Sequence, residues 1–445
     1  MTRTILITGA TDGIGLALAR RYQAQGVRLI LVGRRTLDAL DDPLFTPETY
    51  CRVDLSEPDC AKRIERWLAD HSIDGLDLLI NNAGVGYIGP VADQTPRSIR
   101  LVEAVNLRAP IAITHRLLPR VEQAGGSVVF IGSVASVLPS PRYAVYSAAK
   151  AALDAFVRAF QTELATVDSP ARAVMIHPGA TRTGIHAKAG VSQAEMDWSN
   201  FPPADAVAAQ IDARIAKGMR TGATGLVNNL AYHGLRRWPE PLEWARHRQG
   251  TRVAPSGGER HCVITGAADG IGRALALAFS AAGYRITGID RDRDRAMRTQ
   301  AEIINGGGYA RFLIADLDAP DQIERPLVAL AERPPVDVLI NNAGISAVGL
   351  FAQLPLDDQL RVLEINFTAP LLLTRGLLAG NVFAADATLV FVSSLSYYAG
   401  YPGAAAYAAS KAGIAAYARS LAVAVAPDGL RTLTVYPGPT RTAHA

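Results

Sequence analysis

The sequence predicts two tandem α/β domains, each a doubly wound parallel sheet, the second cut short at its C-terminal end. Three observations carry that prediction: a series of motifs written twice in the same order, apolar strands alternating with amphipathic helices, and a second copy that stops soon after its last motif. Thr8-Gly9-Ala10-Thr11-Asp12-Gly13-Ile14-Gly15 returns as Thr265-Gly266-Ala267-Ala268-Asp269-Gly270-Ile271-Gly272. Asn81-Asn82-Ala83-Gly84 then matches Asn341-Asn342-Ala343-Gly344, Asn106 matches Asn366, and Ser133 matches Ser394. Tyr146-x-x-x-Lys150 matches Tyr407-x-x-x-Lys411, and Pro178-Gly179 matches Pro437-Gly438.

In the first copy, Arg3 to Thr8 reads as a strand, the glycine cluster as a tight turn, and Leu16 to Gln25 as a helix that stops at Gly26. Strands come next at Arg28 to Val32, near Tyr50 to Val53, at Leu76 to Ile80, at Ser127 to Gly132 and at Ala171 to Ile176. A helix is expected around Ala61 to Asp70, and the tyrosine helix lies between the last two strands. Strands that are apolar along their length belong to a parallel sheet covered on both faces. Beyond Pro178-Gly179 an irregular stretch reaches Pro203, with a helix after it near Ala204 to Lys217 and a last strand at Thr224 to Asn228. The expected boundaries are 1–231 for the first domain, 232–258 for a linker rich in Pro, Trp, Arg and Gly, and 259–445 for the second domain, which lacks the last helix and strand.

The 445 residues are 49% hydrophobic and 19% charged, which fits packed helices on buried sheets. A net charge of +4 with scattered arginines excludes a nucleic-acid stripe. Cys51, Cys60 and Cys262 have neither ligand spacing nor the number a disulfide scaffold needs, and are expected as buried thiols in a reducing cytoplasm. No signal-peptide core precedes the first strand and no membrane-length apolar span is read; even the alanine-rich Ala412 to Ala426 contains Arg419. A cytoplasmic protein without membrane or nucleic-acid partners is the expectation, and no cluster of metal ligands is present.

A glycine cluster after a strand and before a helix lets the backbone approach a pyrophosphate, whose charge then sits at the helix N-terminus. The end of the next strand faces the adenosine ribose. In the second copy it is Asp290, with Arg291 after it; a carboxylate there binds ribose hydroxyls and repels a 2′-phosphate, favouring NAD(H). In the first copy the matching residue is Gly33, with Arg34 and Arg35 after it, whose guanidinium forks favour the 2′-phosphate of NADP(H). Asp12 is a point against this, because it sits in the loop where a base would help.

Tyr-x-x-x-Lys places both side chains on one helical face, where an ammonium can lower the phenol's pKa. The chain has five lysines, Lys62, Lys150, Lys188, Lys217 and Lys411, against 45 lysines and arginines together, so a compact ammonium at these two points is a specific choice. Ser133 and Ser394 each end an apolar strand thirteen residues before the tyrosine, with Ser136 and Ser393 as the alternatives. Asn106 and Asn366 lie within helical stretches, where asparagine is unfavourable unless it has a hydrogen-bonding task or kinks the helix.

On these motifs both halves resemble the short-chain dehydrogenase/reductase family, over roughly residues 1 to 230 and 259 to 442. The resemblance implies Rossmann-type domains that move hydride between a nicotinamide cofactor and a carbonyl or secondary alcohol. It makes Tyr146 and Tyr407 the acid/base, and has Ser133 and Ser394 hold the substrate oxygen. Lys150 and Lys411 would bind the nicotinamide ribose, and Asn106 and Asn366 would support a water-linked proton relay. The implied cofactor contacts of the first copy are Gly9, Thr11, Asp12, Gly13, Ile14, Gly15, Arg34, Arg35, Asp54, Leu55, Asn81, Ala83, Gly84, Pro178, Gly179 and Thr181. Those of the second are Gly266, Asp269, Gly270, Ile271, Gly272, Asp290, Arg291, Asp316, Leu317, Asn341, Ala343, Gly344, Pro437, Gly438 and Thr440. Members of the family pair through helices beside the active site, so the two halves are expected to form an internal pseudo-dimer, with further homo-oligomers open.

The first functional expectation is an oxidoreductase with an NADP(H) site in the first domain and an NAD(H) site in the second, a pair able to oxidise an alcohol and reduce the ketone in turn. The alternative is one NADPH-dependent ketoreductase domain with a non-catalytic cofactor-binding scaffold behind it. Met196, Trp198 and Phe201, in the stretch from Gly184 to Pro203, are expected to shape the first pocket.

Overall fold

The computed structural model describes residues 2–190, 195, 197–237, 259–398 and 400–440. The first half runs β1 (Thr4–Thr8), α1 (Gly13–Gln23), β2 (Arg28–Gly33), β3 (Tyr50–Arg52), α2 (Cys60–Asp70), β4 (Leu78–Asn81), α3 (Pro96–Glu103), α4 (Ala109–Gln123) and β5 (Ser127–Ile131). It continues with α5 (Ala144–Thr166), β6 (Arg172–His177), a short α6 (Ile185–Lys188), α7 (Ala204–Ala216), β7 (Thr221–Ala223) and α8 (Leu226–Arg237). The second half runs β8 (His261–Thr265), α9 (Gly270–Ala281), β9 (Arg285–Asp290), α10 (Arg293–Asn305), β10 (Ala310–Ile314), α11 (Glu324–Ala331) and β11 (Val336–Asn341). It ends with α12 (Leu356–Leu363), α13 (Ala369–Ala379), β12 (Phe383–Val392), α14 (Ala405–Val425) and β13 (Arg431–Val435).

Both sheets are parallel in every pair and reverse direction of travel after the first strand: β3-β2-β1-β4-β5-β6-β7, and β10-β9-β8-β11-β12-β13 among the described residues. The apolar strands explain why. Ile5, Leu6 and Ile7 are all 0% exposed, so helices cover both faces of the sheet. The reversal opens a crevice at the carboxyl ends of β1 and β4, and of β8 and β11, where every repeated motif converges.

Several expectations change. The last strand of the first half is Thr221–Ala223, and the Thr224 to Asn228 segment is not a strand. Gly225 turns the chain at φ +77 and α8 begins at Leu226, with Asn229 accepting the Ala223 N–H at 2.9 Å in place of a strand partner. Helix α8 runs to Arg237 and buries Tyr232 completely, so ordered structure enters the range assigned to the linker; residues 238–258 lie outside the described residues. One helix among the described residues, Leu356–Ala379, is long and apolar enough to cross a membrane by length and composition, contrary to the sequence reading. It is α12 and α13 run together end to end through the π-helical turn Glu364–Thr368, and 78% of its apolar window is buried inside the protein. Cys51, Cys60 and Cys262 are buried free thiols.

The halves touch. Helices α5 and α14 pack along one another, and Gly413 allows the approach: a β-carbon there would lie 3.0 Å from Ala152 Cβ. One apolar cluster runs through both, with Phe156 and Phe160 from the first half against Phe351 from the second. Glu364 completes the contact, receiving Arg100 and Arg108 of the first half at 2.9 Å each.

Candidate active sites

The glycine loops fold as the motif requires. Gly9 and Gly266 take φ +65 and +66, and a β-carbon at Gly15 or Gly272 would sit 2.2 or 2.0 Å from the Gly9 or Gly266 carbonyl oxygen. Only glycine fits there, and the helix N-terminus is left open to an anion. Asp12 and Asp269 cap α1 and α9 by accepting the next N–H at 2.7 Å, with Ile14 and Ile271 in the first turn behind them.

A tie that the sequence reading passed over fixes these loops to β4 and β11. Asn82 Nδ2 donates to the Thr8 and Gly9 carbonyls, and Thr8 Oγ1 accepts the Asn82 and Ala83 N–H groups at 3.0 and 3.1 Å. Asn342 and Thr265 repeat the set. The signal was available, since Asn82 and Asn342 are the second residues of a repeated motif. Asn81 and Asn341 donate to Thr114 and Thr374, and their Oδ1 atoms are buried with no partner among the described residues.

Asn106 and Asn366 lie in five-residue π-helical turns, Ala104–Arg108 and Glu364–Thr368, a distortion that recurs at functional positions. Asn106 accepts the Val85 N–H at 3.1 Å and donates to Val85 O at 2.7 Å; Asn366 does the same with Ile345 at 2.8 Å both ways. These amides grip the backbone just after Gly84 and Gly344. A β-carbon on either glycine would approach the asparagine Oδ1 to 3.0 or 3.2 Å, so each glycine floors a cradle rather than filling it.

Ser133 and Ser394 lie two residues beyond β5 and β12, each capping a short helical turn by accepting from Ala135 or Ser396 N–H. Ser133 also hydrogen-bonds the Tyr146 phenol. Ser393 donates to the Lys411 carbonyl at 2.8 Å and is committed to the helix backbone, whereas Ser136 is buried with its hydroxyl unpaired among the described residues. Lys150 and Lys411 are 3% and 5% exposed, and their ammonium groups donate to the Ile131 and Val392 carbonyls at 2.9 and 3.0 Å. Burial pulls each lysine down to about 8. Their nitrogens stand 5.9 and 5.7 Å from the Tyr146 and Tyr407 ring centres.

For Tyr146 it is burial, and not the lysine, that sets the direction of the shift. Its low-dielectric surroundings push it up to about 12, opposed only by the Ser133 hydrogen bond, because Lys150 is turned toward Ile131. The Tyr146 phenol is therefore protonated at neutral pH.

Around the second site a cleft of about 690 Å³ runs from Asp290 and Asp316 past Gly266, Ala343 and Gly344 to Ser394, Tyr407 and Lys411, with Arg291, Leu317, Pro437, Gly438 and Thr440 on its walls. Asp290 stands at its far end, accepting the Ala268 and Asp292 N–H groups at 2.9 and 3.0 Å. In the first half the matching Gly33 has no room for a side chain: a β-carbon would lie 2.7 Å from Thr11 Cγ2 and 2.9 Å from the Tyr50 hydroxyl. Arg34 and Arg35 beyond it are exposed, and Tyr50 donates to Arg35 O at 2.8 Å. Asp54 accepts from Ser56 next to Leu55.

The segment after Pro178-Gly179 folds back over the first glycine loop. Thr181 donates to Gly179 O, and Lys188, missed at the sequence level, pairs with Asp12. Burial acts to raise the Asp12 carboxyl, but the Lys188 contact outweighs it and draws the group below its ordinary range, so the acid that argued against NADP(H) is matched by a base. Trp198 lies beside this loop and stacks on His186, which Phe201 meets edge to face; Met196 lies outside the described residues.

Comparison with known proteins agrees with the duplicated geometry. The family described as short chain dehydrogenase matches residues 3–194 and again 260–445. A rat dehydrogenase/reductase SDR family member 7B is 31% identical over 218 residues, 46% of this chain and 65% of that protein. Serine 3-dehydrogenase of Rhizobium radiobacter is 33% identical over 186 residues, covering 41% and 74%. A short-chain dehydrogenase from Sphingobium yanoikuyae, solved with NADPH, is 27% identical at a TM-score of 0.45, covering 57% of this chain and 99% of that one. The matched region spans just under two thirds of the rat relative's length.

Proposed function

Since this chain belongs to the short-chain dehydrogenase/reductase family through both of its halves, we propose that it is a nicotinamide-dependent oxidoreductase with two separate sites acting on a carbonyl or secondary alcohol. The observation that carries the reading is the twice-built group of serine, tyrosine and lysine at the carboxyl end of a parallel sheet, facing a glycine loop whose geometry admits a pyrophosphate.

The residues fit a dinucleotide: an open helix N-terminus, a glycine-floored cradle beside the lysine, and a cleft long enough to lead from ribose carboxylate to tyrosine. When bound, that cofactor supplies or accepts the hydride. In the first site Ser133 holds the substrate oxygen, and Tyr146, kept protonated by its surroundings, gives its proton to that oxygen as the carbonyl is reduced. Lys150 is fixed one helical turn from Tyr146, where its ammonium, anchored on the Ile131 carbonyl, would hold a ribose hydroxyl of the cofactor. The second site places Ser394, Tyr407 and Lys411 in the same roles.

The two sites differ in the ribose they take. Asp290 at the second favours NAD(H); at the first, a glycine backed by Tyr50, two exposed arginines and a neutralised Asp12 favour NADP(H). Opposite preferences let one site oxidise an alcohol while the other reduces the ketone. We read the α5/α14 face as an internal pseudo-dimer and the domain limits as 1–237 and 259–445, with the linker between. The test is a pair of single variants, Tyr146→Phe and Tyr407→Phe, assayed with NADPH and NADH against a panel of ketones and alcohols. Each should silence one cofactor's reaction and spare the other. If Tyr407→Phe silences nothing, the second half is a scaffold.

A further inference from the structure

We infer that Glu163, a residue of the first half, is a positioning residue of the second site: it clamps the two loops that form that site's substrate lip. The inference rests on the reading of the second half as a catalytic domain. Glu163 lies on α5 and is 4% exposed. One of its carboxylate oxygens accepts the Phe351 N–H and the other accepts the Gly403 N–H at 3.1 Å, both across the boundary between the halves. The two loops are joined to each other as well, Gly349 N–H donating to Gly403 O at 2.9 Å. Val348 and Tyr401, on these same loops, line the second cleft beside Tyr407.

Phe351 reinforces the clamp. It is 1% exposed and its ring packs between Phe156, Phe160 and His115 of the first half, at centre distances of 5.2, 4.9 and 5.3 Å. His115 Nε2 meets the Leu354 carbonyl oxygen at 3.0 Å. A buried carboxylate is unfavourable unless its oxygens are bonded, so both N–H donors are held strongly and the lip cannot lift without exposing an unpaired charge.

The pseudo-equivalent place shows that this is a particular device and not a consequence of duplication. By the tyrosine alignment Ala424 stands where Glu163 does, and by the Asn-Asn-Ala-Gly alignment Val91 stands where Phe351 does. The loops there keep their mutual bond, Gly89 N–H to Arg142 O at 2.9 Å, yet between Val91 and Ala424 a cavity of about 330 Å³ remains. The first site's lip meets the second half in another way, Ser140 N–H donating to Ser420 Oγ at 3.2 Å and the turn at Pro141–Tyr143 packing on α14. The carboxylate clamp that the second site takes from the first half thus has no counterpart at the first site, where Ala424 stands in place of the glutamate.

The experiment is amide hydrogen exchange on the full-length wild type and Glu163→Gln, joined to kinetics in a Tyr146→Phe background and to titration with NADH. The glutamine turns one donor against a backbone N–H, so residues 346–354 and 398–404 should exchange at least about tenfold faster while 86–93 and 137–143 keep their rates. The Tyr407-dependent reaction should show a KM raised about tenfold, the weight of one lost charge-assisted bond, with kcat and NADH affinity held. Glu163→Asp, which keeps the charge, should recover part of the KM. Unchanged exchange in both loops overturns the inference, and so does faster exchange across the whole chain, or a fall in kcat with KM unmoved. If the loops are freed but Tyr407→Phe abolishes no reaction, the clamp stands and the catalytic reading of the second half falls.

Discussion

Replacing Lys150 by methionine should make the protein more stable and its first site inactive, because the buried ammonium is held at the expense of the fold. Burial lowers this lysine from the ordinary 10.5 to about 8, a differential of about 3 kcal/mol. Methionine fills similar volume without a charge but leaves the Ile131 carbonyl without its 2.9 Å donor, which returns about 1 kcal/mol. The net gain at about pH 7 is therefore about 2 kcal/mol, or several degrees in the melting temperature of a unit this size. The sign with pH is fixed. A base whose folded pKa is depressed binds fewer protons in the native state, so wild-type stability rises between about pH 8 and about pH 10.5. The advantage of Lys150→Met should fade over that window. Calorimetry of both proteins without cofactor at about pH 7 and about pH 10 is the assay. A variant less stable than wild type at neutral pH, or an advantage that does not shrink in base, would refute the argument that this lysine is present for chemistry against the interest of stability.

Glu103, 2% exposed at the boundary between the halves, is pushed up to about 7 by burial, with Arg108 only partly offsetting it. Its native state holds the proton more tightly than the unfolded chain, so stability should fall as pH rises from 4.5 toward about 7, and Glu103→Gln should flatten that slope in urea titrations. Gly15→Ala and Gly272→Ala, each forcing a β-carbon to within 2.2 or 2.0 Å of a carbonyl oxygen, should each abolish cofactor binding in their own half and leave the other half's affinity unchanged by calorimetry. Gly33→Asp alone should destabilise the first half, since its side chain meets Thr11 and the Tyr50 hydroxyl; with Thr11→Ala, the residue the second half carries as Ala268, and Tyr50→Phe, the carboxylate should be accommodated and NADPH affinity should drop at least about tenfold.

The fold was legible because the strands are apolar throughout and the helices are punctuated by glycine, as at Gly26, so the strands and helices of the first half could be set in order from the chain alone. The repeat did the same for the site: two residues that recur in register, such as Ser133 and Ser394, are drawn together by one topology. The features that escaped were set by contacts distant in sequence. The Thr224 to Asn228 segment has a short apolar pattern, and only the Gly225 turn and the burial of Tyr232 commit the chain beyond it to a helix. Lys188 reaches Asp12 across 176 residues, and Glu163 reaches Phe351 across 188, so neither pairing leaves a local pattern. At Tyr146, too, a contact distant in sequence intervenes. Spacing put lysine on the right face of the helix, but the Ile131 carbonyl captured its ammonium and burial then governed the phenol.

Two dissimilar cofactor sites in one chain are the central claim, and calorimetric titration of NADP and NAD into wild type, Arg34→Ala and Asp290→Ala addresses them directly. The expected result is two independent sites with opposite preferences, NADP binding weakened only by Arg34→Ala and NAD binding weakened only by Asp290→Ala. Binding of both cofactors at a single site, or a loss of NADP affinity on Asp290→Ala, would contradict it.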